Sequence, residues 1–171
     1  MVEKRVIALG TFDGLHAGHR AVIEKCIETA KQMGAKSAVY TFLENPRELF
    51  GCAPLRLMTP EEKQAALTEM GVDEVFQVHF TRELAALSPG EFIKLISDNY
   101  APCALVAGED YSFGKNAAGT SETLKRLCAE MGIGTYIVPL VKCGGEKISS
   151  TRIRNALIAG DRAELEKLAR R

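Results

Sequence analysis

The chain has 171 residues, 46% of them hydrophobic and 26% charged, with 22 Lys and Arg against 22 Asp and Glu. The length suits one domain with a real core, and the charge balance argues against sequence-independent nucleic-acid binding, which needs an excess of cations. No apolar run approaches the roughly 18–20 residues of a membrane span, the start "MVEKRVIALG" lacks a signal-peptide core, and the five cysteines are widely spaced without a C-x-x-C, so the expectation is a cytoplasmic protein with reduced thiols and no membrane partner.

In chain order, "RVIALG" (5–10) reads as a buried strand. "HRAVIEKCIETAKQMG" has helical spacing closed by Gly34. "KSAVYTF" (36–42) is a second strand. The segment 43–58 lacks periodicity and carries two prolines, so it reads as a loop over the sheet's carboxyl edge. Thr59, Pro60 and Glu62 form a capping box that opens a helix ending at Gly71. "EVFQVHF" (74–80) is a third strand, whose His79 reads as a packed or surface residue. Ser88, Pro89 and Glu91 repeat the cap. "ALVAG" (104–108), a helix ending at Gly132 and "GTYIVPLV" (134–141) follow. A turn at Gly144–Gly145 leads to a short sixth strand. A helix ending at Gly160 and one capped by Asp161 with Glu164 close the chain. This alternation predicts a single α/β domain over 1–171, a doubly wound, Rossmann-like parallel sheet with helices on both faces.

The first strand-to-helix turn, "GTFDGLHAGHR" (10–20), lies where such sheets bind ligands. It matches neither G-x-G-x-x-G nor a P-loop. What remains is H-A-G-H entering a helix N-terminus, whose free N–H groups attract phosphate. Gly10 and Gly14 allow close backbone approach, and Gly18 allows tight packing between the histidines. His16 and His19, three apart, can both offer N–H donors to a phosphate whose charge grows during reaction. The competing readings are a zinc pair, for which no third ligand is evident, and a plain helix cap.

"KISSTRIR" (147–154) places three hydroxyls and two arginines at another strand-to-helix junction. Ser149 or Ser150 is the expected N-cap. The Ser150 and Thr151 hydroxyls and either Arg152 or Arg154 then suit a second phosphate cluster. Two residues apart on a helix, the arginines do not face the same way, and Arg154 is favoured.

H-x-G-H after the first strand with S-S-T-x-x-R before a late helix resembles the HIGH-motif nucleotidyltransferases. The extended "GTFDGLHAGH", together with "TFLENPREL", "RLMTPEEKQAALTEMGVDEVF", "GEDYSFGKNAAG" and "EKISSTRIRNALIAGD", resembles the FMN adenylyltransferase domain of bacterial bifunctional FAD synthetases over essentially the whole chain. The resemblance implies transfer of AMP from ATP to FMN, giving FAD and pyrophosphate, with Mg²⁺ bridging phosphates. It implies catalytic roles for His16, His19, Ser150, Thr151 and Arg154. ATP contacts would come from Gly10, Thr11, Phe12, Asp13, Gly14, Gly18, Ser149 and Arg152. FMN contacts would come from Asn45, Pro46, Asp110, Tyr111 and Phe113, the two aromatic rings being alternatively core. Metal ligands are not identified. Asn45 stands where that family usually has His, Glu44 where it has Pro, Glu109 where it has an aromatic, Ser112 where it has Arg, and Lys147 where it has Arg. No segment resembles the riboflavin kinase domain of that family, so riboflavin phosphorylation is not expected of this chain and a separate riboflavin kinase is the expected partner. The alternatives are the same transfer onto another phosphate-bearing acceptor, or a binding module without turnover.

Overall fold

A computed structural model describes residues 3–169. Its centre is a five-stranded parallel sheet of β1 (Arg5–Leu9), β2 (Lys36–Phe42), β3 (Glu74–Val78), β4 (Pro102–Gly108) and β5 (Gly134–Val138), in the order β3-β2-β1-β4-β5. The chain winds outward from β1 to β3, then returns to place β4 on the other side of β1. The strand order therefore reverses between β1 and β4, and the carboxyl ends at such a reversal are where open α/β sheets bind ligands.

The period-2 alternation of β1 divides the core. Val6 and Ala8 face one side with Val22, Ile23, Cys26 and Leu67, from α1 (Ala17–Met33) and α2 (Pro60–Glu69). Ile7 and Leu9 face the other with Phe92, Ile93, Ile96 and Leu124. Those come from α4 (Pro89–Tyr100) and α5 (Ser121–Glu130); a short α3 (Arg82–Ala86) precedes them. The helix signals act as their chemistry dictates. Thr59 and Ser88 form reciprocal capping boxes with Glu62 and Glu91, and Gly34 and Gly160 close α1 and the helix Ser150–Ala159 in left-handed conformation.

Four details differ from the sequence expectation. Helix α1 begins at Ala17, so His16 is its N-cap and His19 lies in its first turn. Strands β3 and β5 stop at Val78 and Val138. The loop 43–58 contains a 3₁₀ turn, Pro46–Phe50, capped by Asn45 and Glu48. The Gly144–Gly145 turn joins β6 (Lys142–Cys143) to β7 (Glu146–Lys147) as a separate antiparallel hairpin outside the main sheet. That hairpin packs with α6 (Ser150–Ala159) and α7 (Arg162–Ala169) over a small core of Cys143, Ile148 and Leu168. The Asp161 carboxylate accepts from the Glu164 N–H at 3.0 Å, as its cap position implies. Among the described residues no helix is long and apolar enough to cross a membrane.

Candidate active site

The β1–α1 turn takes an unusual path. Phe12 (φ 51°), Gly14 (φ 85°) and Leu15 (φ 42°) are left-handed, a region that costs a non-glycine residue about 1–2 kcal/mol. Both Phe12 and Leu15 are buried, so apolar burial offsets that strain. Gly14 is left-handed and tightly covered: a Cβ there would lie 2.7 Å from the Leu57 side chain. Phe12 was expected to touch ATP; its ring is 1% exposed and belongs to the core, because the left-handed backbone turns it inward.

Helix α1 opens with His16 as N-cap. Its Nδ1 accepts the His19 backbone N–H at 3.3 Å. A neutral ring whose Nδ1 accepts must carry its hydrogen on Nε2, so His16 has one N–H donor left for a ligand. Gly18 lets the ring lie close, since a Cβ there would approach it to 3.0 Å. The two imidazoles stack at 3.6 Å, 20° from parallel, and the edge of Phe12 supports His19 at 5.4 Å. Burial pushes His16 down to about 4 against the pull of Asp110. Burial, and then the neighbouring His16, Lys63 and Arg154, hold His19 well below the usual histidine range. At neutral pH both rings are uncharged donors rather than cations. His19 Nδ1 is buried without a hydrogen-bond partner, an open polar atom in an otherwise satisfied wall.

Helix α6 brings the second motif to the same turn. Ser149 is its N-cap, accepting the Arg152 N–H at 3.1 Å. The Ser150 hydroxyl donates to the Asp13 carbonyl at 2.8 Å. Arg154 Nη2 meets Asp13 Oδ2 at 2.6 Å, and its Nε donates to the Leu55 carbonyl at 2.7 Å. Asp13 also accepts the Leu57 and Met58 N–H groups at 3.1 and 3.2 Å. Asp13 therefore ties together the turn, the 43–58 segment and α6. Its carboxylate, expected beside ATP, is engaged by protein donors. Arg152, expected there too, is engaged likewise. Its guanidinium is bound to Glu164 and to the Cys143 and Glu146 carbonyls, which fastens the hairpin to α7. Thr151 stays exposed at the start of α6.

The residues expected at the acceptor fall into two groups. Asn45 follows β2 and lines a cavity with Thr11, Phe42, Arg56 and Lys63; its side chain and the adjacent Pro46 also build the 3₁₀ turn. Asp110, Tyr111 and Phe113 follow β4, on the opposite flank of the β1–α1 turn. Asp110 pairs with Lys147 at 3.1 Å. Tyr111 and Phe113 stack at 5.5 Å, and Phe113, 6% exposed against Phe92, takes the core alternative. His79 is an exposed residue paired with Glu44 at 2.6 Å.

One residue of the cavity has no counterpart in the sequence reading. Lys63 is buried on α2, its ammonium bound to three oxygens at the ends of β1 and β2. The readable signal was a lysine on the apolar stripe, one turn before Leu67. Among the described residues no group of three His, Cys, Asp or Glu gathers as a metal site.

The arrangement is two helix N-termini meeting over a crevice, with neutral imidazole donors between them. It suits binding and polarising a polyphosphate. The family model described as FAD synthetase matches residues 1–152. The bifunctional riboflavin kinase/FMN adenylyltransferase of Listeria monocytogenes is 36% identical over 96% of this chain and 53% of its own length. The Escherichia coli K12 protein of the same name is 36% identical over 97% of this chain and 54% of its own. The chain thus spans about half the length of these curated relatives. A crystal structure described as a macrolide-efflux protein from Streptococcus pneumoniae superposes with a TM-score of 0.86 at 31% identity, covering 98% of this chain and 55% of that one.

Proposed function

The chain belongs to the FAD synthetase family, and from that premise we propose that it transfers the adenylyl group of ATP to FMN. An FMN phosphate oxygen attacks the α-phosphorus in line. The new P–O bond forms as the bond to the β-phosphate bridging oxygen breaks, and pyrophosphate leaves. No covalent enzyme intermediate is required, so the protein's work is positioning and charge stabilisation.

The observation that carries this reading is the His16 N-cap. Its Nδ1 is occupied by the His19 N–H, which leaves Nε2–H to donate to the triphosphate. His19 lies stacked behind it. The free amides at the starts of α1 and α6, with the Thr151 hydroxyl, hold the β- and γ-phosphates. Arg154 and the Ser150 hydroxyl, both bonded to Asp13, keep those two helix ends together. Asp110 and Tyr111 on one flank, and Asn45 on the other, border the acceptor. The carboxylates nearest the turn are already paired, which fits Mg²⁺ held chiefly by phosphate oxygens and water. The metal supplies neutralisation of triphosphate charge; no dedicated protein cage is needed for it. A riboflavin kinase must supply the FMN.

Incubation with ATP, Mg²⁺ and FMN, followed by chromatography, tests the proposal. FAD and pyrophosphate should form in equal amounts. ATP consumption with another phosphate-bearing acceptor but not FMN would replace the acceptor. His19→Ala separates catalysis from binding: a catalyst loses about 10²–10³ in kcat while ligand affinity changes little. Equal losses in both would favour a binding module.

A further inference from the structure

Lys63 occupies an inward position of α2, 6% exposed, one turn before the fully buried Leu67. A lysine ammonium has three hydrogens, and three oxygens receive them. These are the Phe42 carbonyl at 2.8 Å, the Thr11 carbonyl at 3.1 Å and the Thr41 hydroxyl at 3.3 Å. Thr41 in turn donates to the Thr11 carbonyl at 2.9 Å.

The two carbonyls have a particular place. Phe42 is the last residue of β2, and Thr11 lies just past β1. Immediately after Thr11 the backbone turns left-handed at Phe12 and then reaches Asp13, the residue that anchors Arg154. Lys63 therefore grips the turn at the point where it departs from extended geometry. Its donors are all engaged by protein oxygens, so it does not serve a ligand directly. A methionine would fill a similar volume without desolvating a charge, so packing does not account for a lysine here. The holding of two strand-end carbonyls does.

We propose that Lys63 is a positioning residue for adenylyl transfer: by binding the Thr11 and Phe42 carbonyls it fixes the β1–α1 turn, and through the turn the two imidazoles. This rests on the adenylyl-transfer reading. The titratable groups around the ammonium are Asp13 on the turn, Glu44, Glu48 and Arg56 on the 43–58 segment, and neutral His19 on α1. Burial pushes Lys63 down to about 8, Asp13 opposing and Arg56 assisting. Loss of its proton removes a donor and the charge together.

The test uses Lys63→Met, Lys63→Arg and Thr41→Val, each checked for folding by thermal melting. Folded Lys63→Met should lose about 100-fold in kcat and about tenfold in ATP affinity, with KM for FMN changed less than about threefold. Wild type should show an alkaline limb in kcat/KM for ATP near pH 8, because that ratio reports the ligand-free enzyme. A guanidinium stays protonated, so in Lys63→Arg that limb should be missing up to about pH 10. Thr41→Val should lower kcat several-fold. Folded Lys63→Met with kcat within about threefold of wild type would overturn the inference, as would an unchanged limb in Lys63→Arg. If Lys63→Met does not fold, the other two variants decide, and wild-type behaviour in both overturns it. If wild type forms no FAD, the adenylyl-transfer reading has failed instead. ATP titration then decides for Lys63 alone, and undiminished affinity in Lys63→Met, or in Thr41→Val should Lys63→Met not fold, rejects its role.

Discussion

Two acid–base pairs join the carboxyl edge of the sheet to the C-terminal segment, and they are built in opposite ways. Asp13–Arg154 spans 2.6 Å with side chains 12% and 10% exposed. Asp110–Lys147 spans 3.1 Å with side chains 50% and 49% exposed. In the first, Asp13 also accepts the Leu57 and Met58 N–H groups, and the Arg154 Nε donates to the Leu55 carbonyl. The second lies in water beside His16. A buried pair with further hydrogen bonds on both partners fixes geometry, because breaking it leaves a buried charge. A solvated pair is easily exchanged for water or ligand. The proposed phosphate site thus has a rigid floor, formed by the first pair, and a labile edge, formed by the second.

The sharpest way to break this comparison is Asp13→Ala. It strands the Arg154 guanidinium with one carbonyl and orphans two N–H groups. Unfolding free energy should fall by about 3–5 kcal/mol, and Tm by roughly 6–20 °C for a chain of this size. Urea and thermal unfolding measure both. Asp13→Ala combined with Arg154→Met should regain part of the loss, since the uncompensated charge is then gone. A loss below about 1 kcal/mol in the single variant would put Asp13–Arg154 in the same class as the surface pair.

An intermediate effect comes from acid. The unfolded His16 imidazole binds a proton at its ordinary value of about 6.5, whereas the folded one is held down to about 4. Between those values the unfolded chain binds more protons, so stability falls as the pH drops through that window. The His16 contribution is about 1–2 kcal/mol after allowance for its partial exposure. Buried His19 is shifted in the same direction. The rings themselves have a matching signature. Both are held neutral in the free protein, so neither imidazole should titrate at the ordinary value of about 6.5 when followed by NMR. Titration of either ring at that value would mean that burial does not hold it down.

This contrast also explains what the sequence made legible. The sheet, its helices and their caps follow from local rules. Thr59-Pro60-x-Glu62 and Ser88-Pro89-x-Glu91 carry their own hydrogen-bond partners, so they read without tertiary knowledge. The meeting of H-x-G-H with S-S-T-x-x-R was legible because each marks a helix start on a known side of a parallel sheet. What a side chain does after the chain folds was less legible. Phe12 stands in the motif yet turns inward because of a backbone angle that no residue type announces. Arg152 and Arg154 were separable by helix geometry, but both are engaged by protein, Arg152 by the neighbouring hairpin and Glu164, and Arg154 by Asp13 and Leu55 far away in sequence. Lys63 is less legible still, because a lysine on a helix is ordinarily solvated. Only the approach of the β1 and β2 ends gives its ammonium three acceptors.

The smallest effect tests the labile edge. Lys147→Ala removes one partner of a half-exposed pair, and exposed pairs contribute about 0.2–1 kcal/mol. Unfolding free energy should change by less than about 1 kcal/mol, and Asp110→Ala with Lys147→Ala should be additive within about 0.5 kcal/mol. Raising ionic strength should erase what coupling there is, because at 1 M salt charges are screened within about 3 Å. The double-mutant cycle in low and high salt measures this directly. A coupling above about 1 kcal/mol that survives salt would make Asp110–Lys147 a second fixed brace. The crevice over His16 would then be closed by structure on both sides, and a substrate entering past β4 would have to break that brace to reach the imidazole.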